Sequence, residues 1–174
     1  MRVYGDARTW QHAPSGRYTD LSDAEAMIER SRRSHRDIGL GTWAIRLVSG
    51  VDVSLGENAF IGTGGVLFYE ELGVWNLGYR FTPRAWGRGF ATELAGAALE
   101  SASGVAPHIP LSARVLTSNP GSVRVLEKVG LRLLWEGESD EKPVGVEDQG
   151  PVRRRIYGDR ELPAGAMEWF VAHP

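Results

Sequence analysis

Between Phe81 and Thr92 lies a short segment whose residue types suit the binding of a phosphate group. It follows a strand-like run and opens a helix, and Gly87 and Gly89 flank Arg88. Small residues let the backbone bend so that several N–H groups face one point, and a helix N-terminus adds its dipole to those donors. The segment therefore predicts an anion site built from main chain, with Arg88 and Arg84 as candidate extra cations.

Three kinds of nucleotide-binding loop compete for this segment. The P-loop needs Gly-x-x-x-x-Gly-Lys-Ser/Thr, which the chain lacks. The dinucleotide fingerprint needs a third glycine where Thr92 stands, and an acidic residue after the next strand, where Leu116–Ser118 has none. An acyl-CoA loop is the third option. A purely structural strand-to-helix turn stays open beside it.

The residues ahead of this segment predict one helix and then an antiparallel meander. Ser22 and Glu25 form a capping-box pattern, and Gly39 is suited to end the helix that they begin. Short, hairpin-like connections favour antiparallel pairing of the next three runs. The strands are predicted at Thr42–Val48, Ala59–Tyr69 and Val74–Phe81.

The pattern then changes to helix, strand, helix and a final hairpin. A helix over Gly87–Ser103 returns the chain so that strand Leu111–Leu116 can lie parallel to the last strand of the meander. Asn119 and Pro120 match the N-cap and first residue of a short helix ending at Gly130. The remaining predicted elements are strands Leu131–Trp135 and Val152–Tyr157, joined by a mobile acidic loop over Gly137–Gly150.

The composition argues against several other functions. The 174 residues suit one domain, predicted to span 1–174, and the formal net charge of −2 argues against a nucleic-acid partner. There is no cysteine, and the four histidines are scattered without metal-ligand spacing, so we predict no metal. No apolar run approaches membrane-spanning length and no signal-peptide core is present, so we expect a cytoplasmic protein without a membrane partner.

Two motifs, in this order, resemble those of a known enzyme family. The run Trp86-Gly87-Arg88-Gly89-Phe90-Ala91-Thr92-Glu93 is similar to the CoA loop of the GNAT superfamily, in the RimJ/RimL branch of ribosomal-protein alanine N-acetyltransferases. The run Asn119–Gly130 resembles the second signature of that branch, Asn-x-x-Ser followed by a helix with Lys and Gly. Gly39–Ala44 and Phe60–Gly62 match its earlier strands, so the resemblance covers about residues 1–160.

This resemblance implies the GNAT acyl-CoA N-acyltransferase fold, of the α/β (α+β) class. The fold has a mixed, mostly antiparallel sheet with a parallel β-α-β crossover and flanking helices. Members of the branch usually start with an apolar strand and a helix, which have no counterpart ahead of Tyr4 in this sequence. We therefore expect strand Thr42–Val48 to form an edge carrying Trp43, Ile45 and Leu47. Either residues 1–18, running extended, or a second subunit of a homodimer would cover that edge.

The resemblance also implies acetyl-CoA as co-substrate and an amine as acceptor. The thioester arm would lie where strands Val74–Phe81 and Leu111–Leu116 splay apart, bound along the edge of the first strand. Backbone N–H groups from Gly87 to Thr92 would hold the pyrophosphate, and Asn119 resembles a residue that contacts the pantetheine arm. The full set of predicted cofactor-binding residues is Phe81, Thr82, Trp86, Gly87, Arg88, Gly89, Phe90, Ala91, Thr92 and Asn119.

Without a cysteine nucleophile, the amine is expected to attack the thioester directly, with most of the acceleration coming from positioning. A backbone N–H near Phe81 would polarise the thioester carbonyl. Ser122 stands where the branch is thought to place the group that protonates the leaving thiolate, so it is the predicted catalytic acid. Relatives often carry a carboxylate on the last meander strand, but this chain has Asn76 there. Possible substitutes for the base are Glu70, Glu71 and Tyr79.

The missing base leaves two hypotheses for the function. An α-amine needs only about 1–1.5 kcal/mol to deprotonate at neutral pH, against about 4.6 kcal/mol for lysine, so a site without a strong base favours an α-amine or another amine of low pKa. Protein N-termini, polyamines and antibiotic amines all stay open as acceptors. The alternative is a catalytically silent, acyl-CoA-binding homologue that acts as a sensor or an interaction module.

Overall fold

A computed structural model describes residues 3–11, 16–48, 54–139 and 152–173. In this part of the chain six strands form a single sheet, and helices pack on both of its faces. The strands are β1 (Thr42–Arg46), β2 (Phe60–Tyr69), β3 (Val74–Phe81), β4 (Leu111–Leu116), β5 (Arg132–Glu138) and β6 (Arg153–Gly158). The helices are α1 (Ala7–Trp10), α2 (Leu21–Ile38), α3 (Phe90–Val105), α4 (Pro120–Lys128) and α5 (Ala164–Ala172).

The sheet has the order β1-β2-β3-β4-β6-β5, with one parallel pair. The first three strands form the predicted antiparallel meander, and α3 carries the chain across to β4, which pairs parallel with β3. The last two strands form the predicted antiparallel hairpin, and β6 also pairs with β4. These pairings confirm the predicted fold class, and the bounds predicted for β3 and β4 agree with the structure.

Alternation along β3 divides the core between the two faces of the sheet. Trp75 and Leu77 are buried on one face against Ala95 and Ala98 of α3. Alanine has no side chain beyond Cβ, so the helix can approach the sheet closely. On the opposite face Val74 is buried against α5 through Phe170. We call these the α3 face and the α5 face of the sheet.

Two predicted helix starts were wrong, for reasons of backbone geometry. The capping box of α2 uses Asp20 as N-cap and Asp23 as its partner, so Ser22 is already helical. Helix α3 begins at Phe90 rather than at Gly87, because Gly87 and Gly89 have φ of +73° and +88°, which a right-handed helix does not allow. Gly39 ends α2 in the left-handed conformation, as predicted.

Two described helices were not predicted. Asp6 caps α1, a single turn within a segment that showed no periodicity. Helix α5 follows Pro163 and is apolar on most sides, so it lacks the one-sided pattern that marks an amphipathic helix. The sequence signal for α5 is the proline ahead of an apolar run.

The two edge strands of the sheet, β1 and β5, differ in part from the sequence prediction. Strand β1 is the edge next to β2, and Leu47 beyond it is buried rather than exposed. Residues 3–11 do not run extended beside β1, because they contain α1 and Tyr4 bonds to Thr63 of β2. Strand β5 continues to Glu138, into the range predicted as a loop, and residues 140–150 of that range lie outside the described residues.

Candidate active site

Strands β3 and β4 pair at one end and separate at the other. Their parallel register covers only Trp75–Leu77 opposite Leu111–Ala113, although β3 continues to Phe81 and β4 to Leu116. The N–H of Trp75 donates to Pro110 O at 2.9 Å, so the odd-numbered residues of β3 turn their backbone groups towards β4. Beyond Leu77 no described strand meets those groups. A wedge-shaped opening therefore separates the strands, as the resemblance implied.

Phe81 and Thr82, the predicted cofactor-binding residues at the end of β3, differ in whether their backbone N–H is available to a ligand. The N–H of Phe81 follows the odd-numbered pattern and faces the opening. The N–H of Thr82 donates to Ile61 O at 2.8 Å, so Thr82 has no backbone donor left for a ligand. Trp86 is 46% exposed, and its Nε1 donates to Phe81 O at 2.9 Å. Trp86 thus fixes the glycine loop to the end of β3 rather than lying in the core.

The glycine loop presents unpaired backbone donors at the start of α3. Gly89 is the N-cap, and no side chain of the described residues caps the helix. Within the described residues the N–H groups of Gly87, Gly89, Phe90 and Ala91 have no acceptor, whereas Thr92 donates to Gly89 O at 2.9 Å. Uncapped helix N–H groups together with the helix dipole form an anion site. The N–H of Thr92, which was predicted to bind phosphate, is therefore already used within the chain.

The loop is open to a ligand and has cations beside it. A Cβ at Gly87 or Gly89 would meet nothing within 4 Å. Arg84 and Arg88 are exposed and both reach Ser54, where Arg84 donates to the carbonyl oxygen and Arg88 Nη1 to Oγ at 3.2 Å. The two guanidinium groups give this surface a positive charge next to the unpaired N–H groups.

The start of α4 places Ser122 beside Tyr79. Asn119 caps the helix, with Oδ1 accepting from the Ser122 N–H at 3.1 Å, as the sequence predicted. Tyr79 Oη donates to Ser122 O at 3.5 Å across the α3 face. The Oγ of Ser122, which is half-buried, has no partner within the described ranges. A serine hydroxyl and a phenol therefore lie together beside the wedge.

None of the candidate bases lies beside the wedge as a proton acceptor. Burial raises the pKa of Tyr79, against a weaker opposite effect of its bond to Ser122, so the phenol keeps its proton at neutral pH and is a donor. Glu70 and Glu71 precede Val74, and Tyr79 lies five positions beyond Val74 along the strand, a distance of about 17 Å. Asn76 lies on β3 with its Oδ1 buried and without a partner among the described residues.

Neither a metal centre nor a membrane span is found in the described ranges. No three His, Asp or Glu side chains there are grouped so as to hold a metal ion. No helix in the described part of the chain is long and apolar enough to cross a membrane.

Comparison with known proteins identifies the family. Residues 1–132 match the family model described as "Acetyltransferase (GNAT) domain". The chain belongs to the GNAT acetyltransferase family. An uncharacterised protein from Bacillus subtilis, YkkB, is 28% identical over 134 residues, which are 74% of each chain.

Solved GNAT structures share the fold at low sequence identity. The spermidine N-acetyltransferase of Vibrio cholerae, solved with CoA and spermine, has a TM-score of 0.67 at 14% identity, covering 95% of this chain and 88% of that one. The ribosomal-protein-alanine N-acetyltransferase of Brucella melitensis has a TM-score of 0.62 at 15% identity, covering 83% and 80%. At such identities these neighbours support the GNAT fold and leave the acceptor undetermined.

Proposed function

We propose that this GNAT protein transfers the acetyl group of acetyl-CoA to a primary amine by direct attack of that amine. The observation that carries the proposal is the uncapped start of α3 beside the wedge, where unpaired N–H groups meet an open strand edge. Phosphate oxygens suit the first feature, and the amide groups of a pantetheine arm suit the second. Acetyl-CoA, the co-substrate, carries both chemical groups in one molecule.

In this proposal each group at the wedge has a defined role. The Phe81 N–H hydrogen-bonds the thioester carbonyl oxygen as negative charge develops on it. Asn119 contacts the pantetheine arm through the amide nitrogen that its capping bond leaves available. The nitrogen lone pair of the amine forms the new C–N bond, the C–S bond breaks, and Ser122 Oγ–H gives its proton to the thiolate. The amine loses one proton, which restores the serine hydroxyl through solvent.

The acceptor we favour is an amine of low pKa, such as a protein N-terminal α-amine. Neither Glu70 nor Glu71 reaches the wedge, and Tyr79 stays protonated, so no strong base serves the amine among these candidates. The RimJ/RimL-like branch, to which the loop and the Asn119 motif are similar, is consistent with such an acceptor. Spermidine and a ribosomal protein are the acceptors in the names of the two neighbours above.

A silent acyl-CoA-binding homologue is the second candidate, and Asn76 favours it. An amide cannot accept a proton from an ammonium group as a carboxylate can. The two functions are separated by measuring the acetylation rate of a panel of amines with and without the protein. A rate above that of the uncatalysed reaction, for any amine, would show that the protein is an acetyltransferase. A protein that binds acetyl-CoA and acetylates nothing would be a sensor or an interaction module.

Acetyl-CoA is expected to raise the melting temperature of the protein, whereas NAD is expected to leave it unchanged. A ligand that binds only the folded state adds RT ln(1 + [L]/Kd), which is about 2.7 kcal/mol at 100 times Kd. Differential scanning fluorimetry with each ligand tests this. Stabilisation by NAD without stabilisation by acetyl-CoA would contradict the assignment of the loop.

We also propose a homodimer formed through the outer edge of β1. No described strand pairs with that edge, and Val48 just beyond it is 74% exposed. Unpaired strand edges bearing apolar side chains favour pairing with another chain. Sedimentation velocity at micromolar concentration is expected to give the mass of two chains. A single species with the mass of one chain would rule the dimer out.

A further inference from the structure

Arg80 is a mostly buried cation on the α5 face of β3, opposite the side on which Tyr79 meets Ser122. Its Nη1 donates to Gly16 O at 2.6 Å, and its guanidinium carbon lies 4.5 Å from the centre of the Tyr4 ring. Tyr4 stacks on Tyr18 with ring centres 4.1 Å apart. Its hydroxyl lies 2.6 Å from Thr63 Oγ1. We call Arg80, Tyr4, Tyr18 and Thr63 the Arg80 cluster.

No carboxylate neutralises this cation within the described ranges. Burial lowers the pKa of Arg80, and only the two tyrosines of its cluster oppose that effect electrostatically. The nearby Asp23 is already engaged, because its carboxylate accepts from the Thr19 and Asp20 N–H groups. Arg30 of α2 adds a second positive charge near Tyr18. An arginine stays charged at any physiological pH, and a partly desolvated charge without a counterion is costly to maintain.

The guanidinium group still has donors to offer. One of its N–H groups is used by Gly16, and the others have no partner among the described residues. None of the unpartnered nitrogens belongs to the fully buried polar atoms of the described residues, so they keep some exposure to solvent. A guanidinium with parallel free N–H groups suits the two oxygens of a carboxylate or a phosphate.

The Arg80 cluster lies on the face of β3 that is open to solvent beside the wedge. On the α3 face the wedge is flanked by Tyr79 and α4. On the α5 face Gly78 is exposed, and a Cβ placed on it would meet nothing within 4 Å. Gly78 is the first β3 residue beyond the pairing with β4, and Arg80 is two residues further, about 7 Å along the same face.

We infer that the acceptor amine carries an anionic group, a carboxylate or a phosphate, which binds Arg80 while the amine reaches the thioester over Gly78. This inference rests on the proposed acetyl transfer. The free guanidinium donors supply the attraction, and the Tyr4–Tyr18 stack forms one wall. A polyamine places further positive charge beside Arg80 and Arg30, so the same cluster selects against it.

The test measures kcat/KM for matched acceptors that differ only in the anion. The pairs are Ala-Glu amide with Ala-Gln amide and O-phosphoethanolamine with ethanolamine, and spermidine is the cationic probe. The native chain is expected to prefer at least one anionic member by tenfold or more, and the pair that shows this distinguishes carboxylate from phosphate. In Arg80→Met that preference is expected to fall to within twofold, with unchanged affinity for acetyl-CoA. Arg80→Lys should restore part of it.

Arg46→Met is the matched control. Arg46 also donates to a backbone carbonyl, Asn58 O at 3.0 Å, and its guanidinium carbon lies 6.0 Å from the centre of the Phe60 ring, but it is exposed on β1. The Arg46→Met variant should keep the full preference for anionic acceptors. Arg80→Met and Arg46→Met should both melt within a few degrees of the native chain. If Arg80 only held Tyr4 and Gly16 in place, its loss would slow the anionic and neutral acceptors equally.

Three results would overturn the inference. These are an unchanged preference in folded Arg80→Met, faster acetylation of spermidine or the neutral members, and no acetylation of any panel member by a protein that binds acetyl-CoA. The last result leaves the cofactor site intact and rejects only the acceptor class. Failure to bind acetyl-CoA at all would instead contradict the proposed function.

Discussion

Replacing Gly89 with glutamate is expected to weaken acetyl-CoA binding more than 100-fold while the protein stays folded. Gly89 has φ of +88° and open space around its Cβ position, so a larger side chain meets no atom of the fold and extends into solvent where the diphosphate is proposed to bind. The new carboxylate would occupy the anion site and repel the phosphates. A non-glycine residue in this conformation also costs about 1–2 kcal/mol. Isothermal titration calorimetry with acetyl-CoA measures the effect.

Gly73→Glu separates charge at the site from backbone strain. Gly73 also has positive φ, at +63°, and nothing within 4 Å of its Cβ position, but it precedes β3 at the end far from the loop. The Gly73→Glu variant should lose about as much stability as Gly89→Glu, and it should keep the native affinity for acetyl-CoA. Gly89→Ala adds strain at the loop without charge, and a loss of less than tenfold is expected. Native affinity in folded Gly89→Glu would return the loop to a purely structural role.

The strands of the meander could be predicted from sequence because the sheet itself imposes a period of two. In β3, Trp75 and Leu77 alternate with Asn76 and Gly78, and the structure buries the first pair against α3. The parallel partner followed from chain length alone, since a long helix lets the next strand return in the same direction. The pairing of β3 with β4 and the wedge beyond it therefore agree with expectation.

Details of the site depend on contacts that no local pattern encodes. The alternation places Tyr79 and Arg80 on opposite faces, but it does not show that one reaches Ser122 and the other Gly16. Those contacts span 43 and 64 residues of chain. The start of α3 was missed because Gly87 and Gly89 suit both a helix start and a left-handed turn, and only the backbone angles separate the two.

The second large effect is expected on kcat when Ser122, the proposed general acid, is replaced. Ser122→Ala is expected to lower kcat by about 10²–10⁴ and to change the acetyl-CoA dissociation constant less than threefold, because general-acid catalysis acts in the transition state rather than on binding. The hydroxyl lies in the first turn of α4 and has no partner among the described residues, so its removal breaks no recorded bond and the fold should persist. Single-turnover kinetics with the acceptor at saturation isolate the chemical step.

Two further variants identify which hydroxyl gives the proton. Tyr79 Oη lies beside Ser122 and keeps its proton because burial raises its pKa, so it is the competing donor. Tyr79→Phe keeps the ring and should reduce kcat less than tenfold if Ser122 is the acid. Ser118→Ala removes a buried hydroxyl just before α4 that has no partner in the described part of the chain, and it should leave kcat unchanged. A large loss in Tyr79→Phe with near-native turnover in Ser122→Ala would transfer the role to the phenol.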